Sequence, residues 1–220
     1  QLTSLLNDLK QAANSLKDYS IDTIIRKCCF TTFNGNDYFG EIAKTRAIRL
    51  LIHEFAITDS QEIAYSSIYV RSISAAFEEE KYAPHGNMIK GATCAMASIL
   101  GGSNCINVIP EDFKSVIQLR TAQNISNVLK EEAYLSKVLD PVAGTYYIEN
   151  LVSQLAKKVW KKFSGKELPT SKAVGKGTIN NELNSTSWMS AEKIPILAQY
   201  NSDSLKDTEH TDFSAGIAPY

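Results

Sequence analysis

CCFTTFNGNDYFGEIAKTRAIRLLIHEFA, residues 28–56, changes its period part-way along. Cys28 to Phe33 is β-prone, and Asn34-Gly35-Asn36-Asp37 breaks it off, so the spacing predicts a buried strand that ends in a loop. Asp37 then stands at a helix N-cap position. Beyond it Phe39, Ile42, Ala43, Ala47, Leu50, Leu51 and Phe55 recur on one face of a helix over 38–56. One strand feeding one helix is a βα unit.

The pattern repeats downstream. SIYVRSI (67–73) reads as a second strand, followed by a polar loop with Pro84 and a helix over 87–100 that stops at Gly101-Gly102. CINVI (105–109) reads as a third strand ended by Pro110, with helices at about 113–132 and 147–164. Strand and helix alternating in this way is the signature of parallel βα units. Upstream, Leu2, Leu5, Leu6, Leu9, Ala13 and Leu16 predict an amphipathic helix over 2–18, with Ser20 or Asp22 capping a short turn after it. A full (β/α)8 barrel runs to about 250 residues. Three units therefore predict an α/β part-barrel with two raw strand edges that want partners.

The bulk numbers describe an ordinary globular chain. It has 220 residues, is 44% hydrophobic and carries a formal net charge of −1. That balance argues against nucleic acid or a membrane surface as partner. No apolar run approaches the roughly 18 residues of a membrane span, and no signal peptide is visible. Cys28, Cys29, Cys94 and Cys105 lack CxxC spacing, and three of them lie in apolar segments. Buried thiols in a cytoplasmic chain are expected. After Lys166 the sequence turns to Gly, Ser, Thr, Asn and Lys, which reads as a linker over 166–184. Gln1 starts inside a helical pattern and Tyr220 follows a Gly-Ile-Ala-Pro turn, so both ends read as cuts.

Four blocks carry a resemblance. YLSKVLDPVAGTYYIENLVSQLAKKVW (134–160) is similar to the DPxGGSYYIExLT segment of the cobalamin-dependent acyl-CoA mutases, above all the small subunit of the methylmalonyl-CoA mutase family. NDYFGEIAKTRAIRLL (36–51) resembles that family's xxFFxEIAKxRAxRxLW helix. GNMIKGATCAMASILGGSN (86–104) resembles NMLRTTTEAMAAxxGGxxS, and RTAQNISNVLKEEAYL (120–135) resembles ARNTQxxLxEES. The blocks stand in the family's order. They imply the C-terminal part of a (β/α)8 TIM-type barrel over 1–165. Residues 185–220, from Trp188 through Ile194-Pro195, Glu209-His210 and Ala215–Tyr220, resemble the family's large-subunit N-terminal segment. They imply an extended C-terminal arm whose apolar anchors are Trp188, Ile194, Ile196, Leu197 and Phe213.

The resemblance also says which residues to inspect. The family supports its substrate carbonyl with a histidine in RxHxQTSG. When the chain is aligned on Pro84 and Asn87, Arg71 falls at that histidine, and Ser74 and Ala75 replace Thr-Ser. A permanently charged guanidinium does not replace an imidazole that can donate while neutral. No catalytic residue is therefore expected in this chain. Arg71 is expected in a strand-end salt bridge, or alternatively on a CoA phosphate or carboxylate. The family's cobalt-ligating Asp-x-His-x-x-G is not matched by His53, His85 or His210, so no cofactor-binding or metal residue is expected. His53 reads as surface or capping, Asp140-Pro141 as a turn, Tyr146-Tyr147 as packing for the last helix, and Glu78–Lys81 as a solvated loop.

Two roles of different class follow. By resemblance, the chain is a structural part of an adenosylcobalamin-dependent isomerase, pairs with a large subunit that binds the cofactor, and meets acyl-CoA only through that partner. The alternative is a stand-alone α/β binding or assembly module without catalysis.

Overall fold

The computed structural model describes residues 1–59, 63–76, 86–169, 188–189, 193 and 195–196. The chain forms two compact units, Gln1–Ser136 with Asp140–Asn180, and Lys137–Leu139 with Asn181–Tyr220.

The larger unit is built on three parallel strands, β1 (Cys29–Asn34), β2 (Tyr69–Ser74) and β3 (Cys105–Asn107), in the order β1-β2-β3. Phe30 pairs with Val70 and Arg71 with Cys105. α3 (Tyr38–Thr58) crosses from β1 to β2 and α4 (Gly86–Leu100) from β2 to β3, as the alternation predicts. Asp37 caps α3 by accepting from the Gly40 amide at 3.1 Å, as its position predicts. α1 (Leu2–Ser15) and α2 (Ile21–Lys27) precede the sheet, while α5 (Val116–Glu131) and α6 (Tyr146–Ser164) follow it. Ser20 caps α2 by accepting from the Thr23 amide.

α3 is the centre of the core. It packs on α6, α4, α1 and β2, and Ile42, Ile48, Leu51 and Ile52 are all at most 1% exposed. A helix apolar nearly all round must be enclosed on all sides. Burying each of these side chains contributes roughly 2 kcal/mol.

Burial in β1 and β2 strictly alternates. Phe30, Thr32, Asn34, Val70, Ser72 and Ser74 lie under the helices. The other face carries Cys29, Thr31, Phe33, Tyr69, Arg71 and Ile73, and there Phe33 is 52% and Tyr69 45% exposed. This corrects the expectation for the thiols. Only Cys94 is buried, Cys28 and Cys105 are half-buried, and Cys29 is exposed because its strand position points to the uncovered face.

Several boundaries also differ. α1 stops at Ser15, leaving Leu16 exposed. β3 ends at Asn107 because the Ile109 amide donates to Ser74 Oγ at 2.8 Å, leaving the ladder for a side chain. α5 starts at Val116, where Ser115 accepts from the Gln118 amide. The helix stop at Gly101-Gly102 is as expected. Gly102 has φ 84°, and a Cβ on Gly101 would sit 2.7 Å from Thr45 Cβ of α3.

In the smaller unit β4 (Trp188–Met189) pairs antiparallel with β5 (Pro195–Ile196). Ile194, Leu197 and Phe213, expected as anchors, lie outside the described residues, as do most of 166–184 and of 185–220.

Candidate functional site

Arg71 sits third in β2, on the uncovered face of the sheet, flanked in register by Thr31 and Cys105. Its Nε donates to Asn107 Oδ1 at 3.3 Å. Among the described residues it meets no carboxylate, so the expected strand-end salt bridge is replaced by a mid-strand amide contact. A parallel sheet normally has both faces covered. Among the described residues this guanidinium thus leaves most of its donors uncommitted, on the same sheet face as Phe33 and Tyr69.

Beneath the covered face runs a polar seam. Asn34 Nδ2 donates to Ser98 Oγ at 2.8 Å, and Ser98 donates on to the Cys94 carbonyl. The Cys94 thiol lies 2.9 Å from the Gly35 carbonyl, and burial, with Glu41 adding, pushes it up to about 11. Such a thiol is inert as a nucleophile. Ser72 and Ser103 hydroxyls meet at 2.6 Å.

Two arginines of α3 join the sequence blocks. Arg46 forms ion pairs with Asp140 and, at 2.7 Å, with Glu149. Glu149 also accepts from the Gly144 amide, so the DPVAG turn and the first turn of α6 are tied to α3. Asp140 does initiate the turn, with its carbonyl accepting from the Ala143 amide, and its φ of 45° orients it there. Arg49 donates to the carbonyls of Tyr65 (2.9 Å), Ile68 and Gly102 (2.7 Å) and to Asn104 Oδ1 (2.6 Å). Asn104 in turn accepts from the Val70 amide. Burial pulls the Arg49 guanidinium below its ordinary value. Both arginines stand in a block that resembles the family, yet the sequence assigned them no role. The signal was cations three apart inside an apolar helix, which must find acceptors when buried.

Two other expectations are corrected. His53 is not on the surface: it is 7% exposed and stacks on Tyr65 with ring centroids 4.4 Å apart. It faces inward because α3 is enclosed on all sides. Tyr146 does not pack α6, being 95% exposed, and Tyr147, 61% exposed, does so only at its edge; Ile148, Val152, Ala156, Val159 and Trp160 are the buried residues of the helix. Tyr147 lays its edge on Phe39 at 5.5 Å. His85, His210 and Glu78–Lys81 lie outside the described residues. Among the described residues no three His, Cys, Asp or Glu side chains gather as metal ligands, and no helix is long and apolar enough to cross a membrane.

A family profile described as methylmalonyl-CoA mutase matches residues 11–196. The chain belongs to the methylmalonyl-CoA mutase family. It is 30% identical over 151 residues to the methylmalonyl-CoA mutase small subunit of Porphyromonas gingivalis, covering 66% of this chain and 24% of that protein. It is 31% identical over 156 residues to the methylmalonyl-CoA mutase of Rhizobium meliloti, covering 66% of this chain and 21% of that one. The large subunit from P. gingivalis matches at 29% over 154 residues, covering 64% of this chain and 20% of that subunit. The chain therefore spans a quarter or less of the curated relatives it matches.

Proposed function

We propose that this chain is a structural, non-catalytic part of a methylmalonyl-CoA mutase. Residues 1–165 supply the C-terminal part of a small-subunit (β/α)8 barrel, 166–184 a linker, and 185–220 an arm that pairs with the large subunit. The observation that supports this reading is the Arg71 guanidinium, hydrogen-bonded to Asn107, at the residue that the resemblance aligns with the family's catalytic imidazole. A guanidinium stays charged and donor-only, so it cannot take the role of a neutral imidazole beside a reacting carbonyl. The uncovered sheet face supports the barrel assignment, since further strands would enclose Phe33, Tyr69 and Arg71 as inward-facing residues.

Adenosylcobalamin supplies the radical chemistry of such an isomerase. The described histidine, His53, does not fit a cobalt ligand, because Tyr65 covers its ring and it is only 7% exposed. By the resemblance, the cofactor and acyl-CoA are assigned to the partner subunit.

The test uses the polypeptide that carries this sequence, assembled with a mutase large subunit. Arg71→Ala is expected to leave kcat for methylmalonyl-CoA within about twofold, whereas a group that touches the reacting atoms contributes on the order of a hundredfold or more. A loss of that larger size in an intact assembly would sink the non-catalytic reading. Removing residues 185–220 should weaken association with the large subunit; unchanged affinity would rule out the arm.

A further inference from the structure

We infer that the segment covering the open face of the sheet brings an aspartate or glutamate carboxylate onto Arg71. The inference rests on the barrel reading proposed above and adds the chemistry of one contact.

The strand register lays this face out in rows. Thr31, Arg71 and Cys105 form the middle row, with Cys29 and Tyr69 on one side of it and Phe33, Ile73 and Asn107 on the other. Arg71 is the one charged residue among these. Its Nε donates to Asn107 Oδ1 at 3.3 Å, and the Cys105 thiol approaches the same oxygen at 3.8 Å. Among the described residues the rest of the guanidinium meets no acceptor. Hydroxyls, thiols, an amide and apolar side chains surround it, and none of them supplies an anion.

Two other arginines show how this fold treats an enclosed guanidinium. Arg46 meets the carboxylates of Asp140 and Glu149. Arg49 meets three carbonyls and the Asn104 amide oxygen, brought by the segments around it. An inward-facing position in mid-strand has no such carbonyls to use, because neighbouring strands commit theirs to the ladder. Covering Arg71 removes its water, and a guanidinium cannot shed its charge to escape that cost. The acceptor must then be a side chain of the covering segment. A carboxylate matches both the charge and the planar fork. The face thus selects a cover that is acidic at one inward position over the middle of β2 and apolar where it meets Phe33, Tyr69 and Ile73.

The test is urea unfolding of the polypeptide that carries this sequence, parent against Arg71→Met, at about pH 8 and about pH 5.5. Methionine should lower the urea midpoint by roughly 1 M at the higher pH, because it leaves a carboxylate enclosed without its cation. The loss should shrink at the lower pH, where such a carboxylate takes up a proton. Cys29, Tyr69 and Cys105, the other titratable groups on the face, are the same in both proteins. Arg71→Lys keeps a cation and should fall between parent and methionine. No loss with methionine, an equal loss at both pH values, or a lysine variant no better than methionine would each overturn the inference. Added succinate should leave both midpoints where they were; a rise in the parent alone would make a free acid the ligand and overturn it too. Whether the face is covered is read separately, from the labelling of Cys29 by dithionitrobenzoate, identified by its loss in Cys29→Ser. Slow labelling beside a neutral Arg71→Met defeats the carboxylate alone. Rapid labelling of the native protein defeats the cover, and with it the barrel reading at this face.

Discussion

Two stretches of α3 bury charge in opposite ways. Around the midpoint, Arg46 and Arg49 find acceptors from several other segments, including carbonyls at the entry to β2 and after α4. In the second half, His53 and Glu54 are buried more deeply, and Glu54 is only 1% exposed. Yet among the described residues His53 Nδ1, both Glu54 carboxylate oxygens and Tyr65 Oη have no hydrogen-bond partner. The nearest approach of opposite charge is His53 Nδ1 to Glu54 Oε1 at 4.0 Å. A buried charge that joins converging loops stabilises the fold, whereas one that is merely enclosed costs stability. The same helix does both, four or five residues apart.

That contrast can be broken from either side. Arg49→Ala should give the largest effect, a destabilisation of about 3–4 kcal/mol, because it orphans several acceptors at once. Lysine should not rescue it, since one ammonium cannot span the forked set. Urea unfolding of the two variants checks this, and a loss below about 1 kcal/mol would mean that Arg49 behaves as a surface charge. Glu54→Gln should act in the opposite direction and raise stability by about 1–2 kcal/mol. A destabilised Glu54→Gln protein would show that the carboxylate has a partner after all and would erase the contrast.

The smallest effect is a pH dependence. Burial, with Glu54 adding, pushes Tyr65 up to about 12 from an ordinary value of 10.0. Burial likewise raises Cys94 to about 11 from 9.0. Both groups hold their protons more tightly when folded. Their contribution is therefore complete below the unfolded values and is lost as pH climbs through the folded ones, a window from about pH 9 to about pH 12. Tyr65→Phe should be near neutral at pH 7, since it removes an unpartnered hydroxyl, and should soften the decline above about pH 10. Urea midpoints at neutral and alkaline pH would measure it. An identical alkaline decline in parent and variant would refute the assignment to Tyr65.

Part of this organisation is legible in the amino-acid sequence alone. Asp37 announces the start of α3 and Gly101-Gly102 the end of α4, because caps and stops are written in adjacent residues. The order of strands and helices follows from the change of period, and the four blocks place the chain in its family. The candidate position Arg71 is legible as a residue, but its partner Asn107 is not, because the two meet only once β2 and β3 pair.

What stays hidden is hidden for one reason. The hydroxyl and thiol residues of β1 suit either face of a sheet, so the sequence does not say which of its alternating positions will be covered. Helices over one face alone decide that Cys29 and Phe33 stay open. Arg46 and Asp140 are far apart in the chain, and their ion pair exists only because α6 packs on α3. Local order is set by neighbours along the chain and can be read from them. Burial and partnership are set by neighbours in space, and only the tertiary packing of α3 against α6, α4 and the sheet determined those.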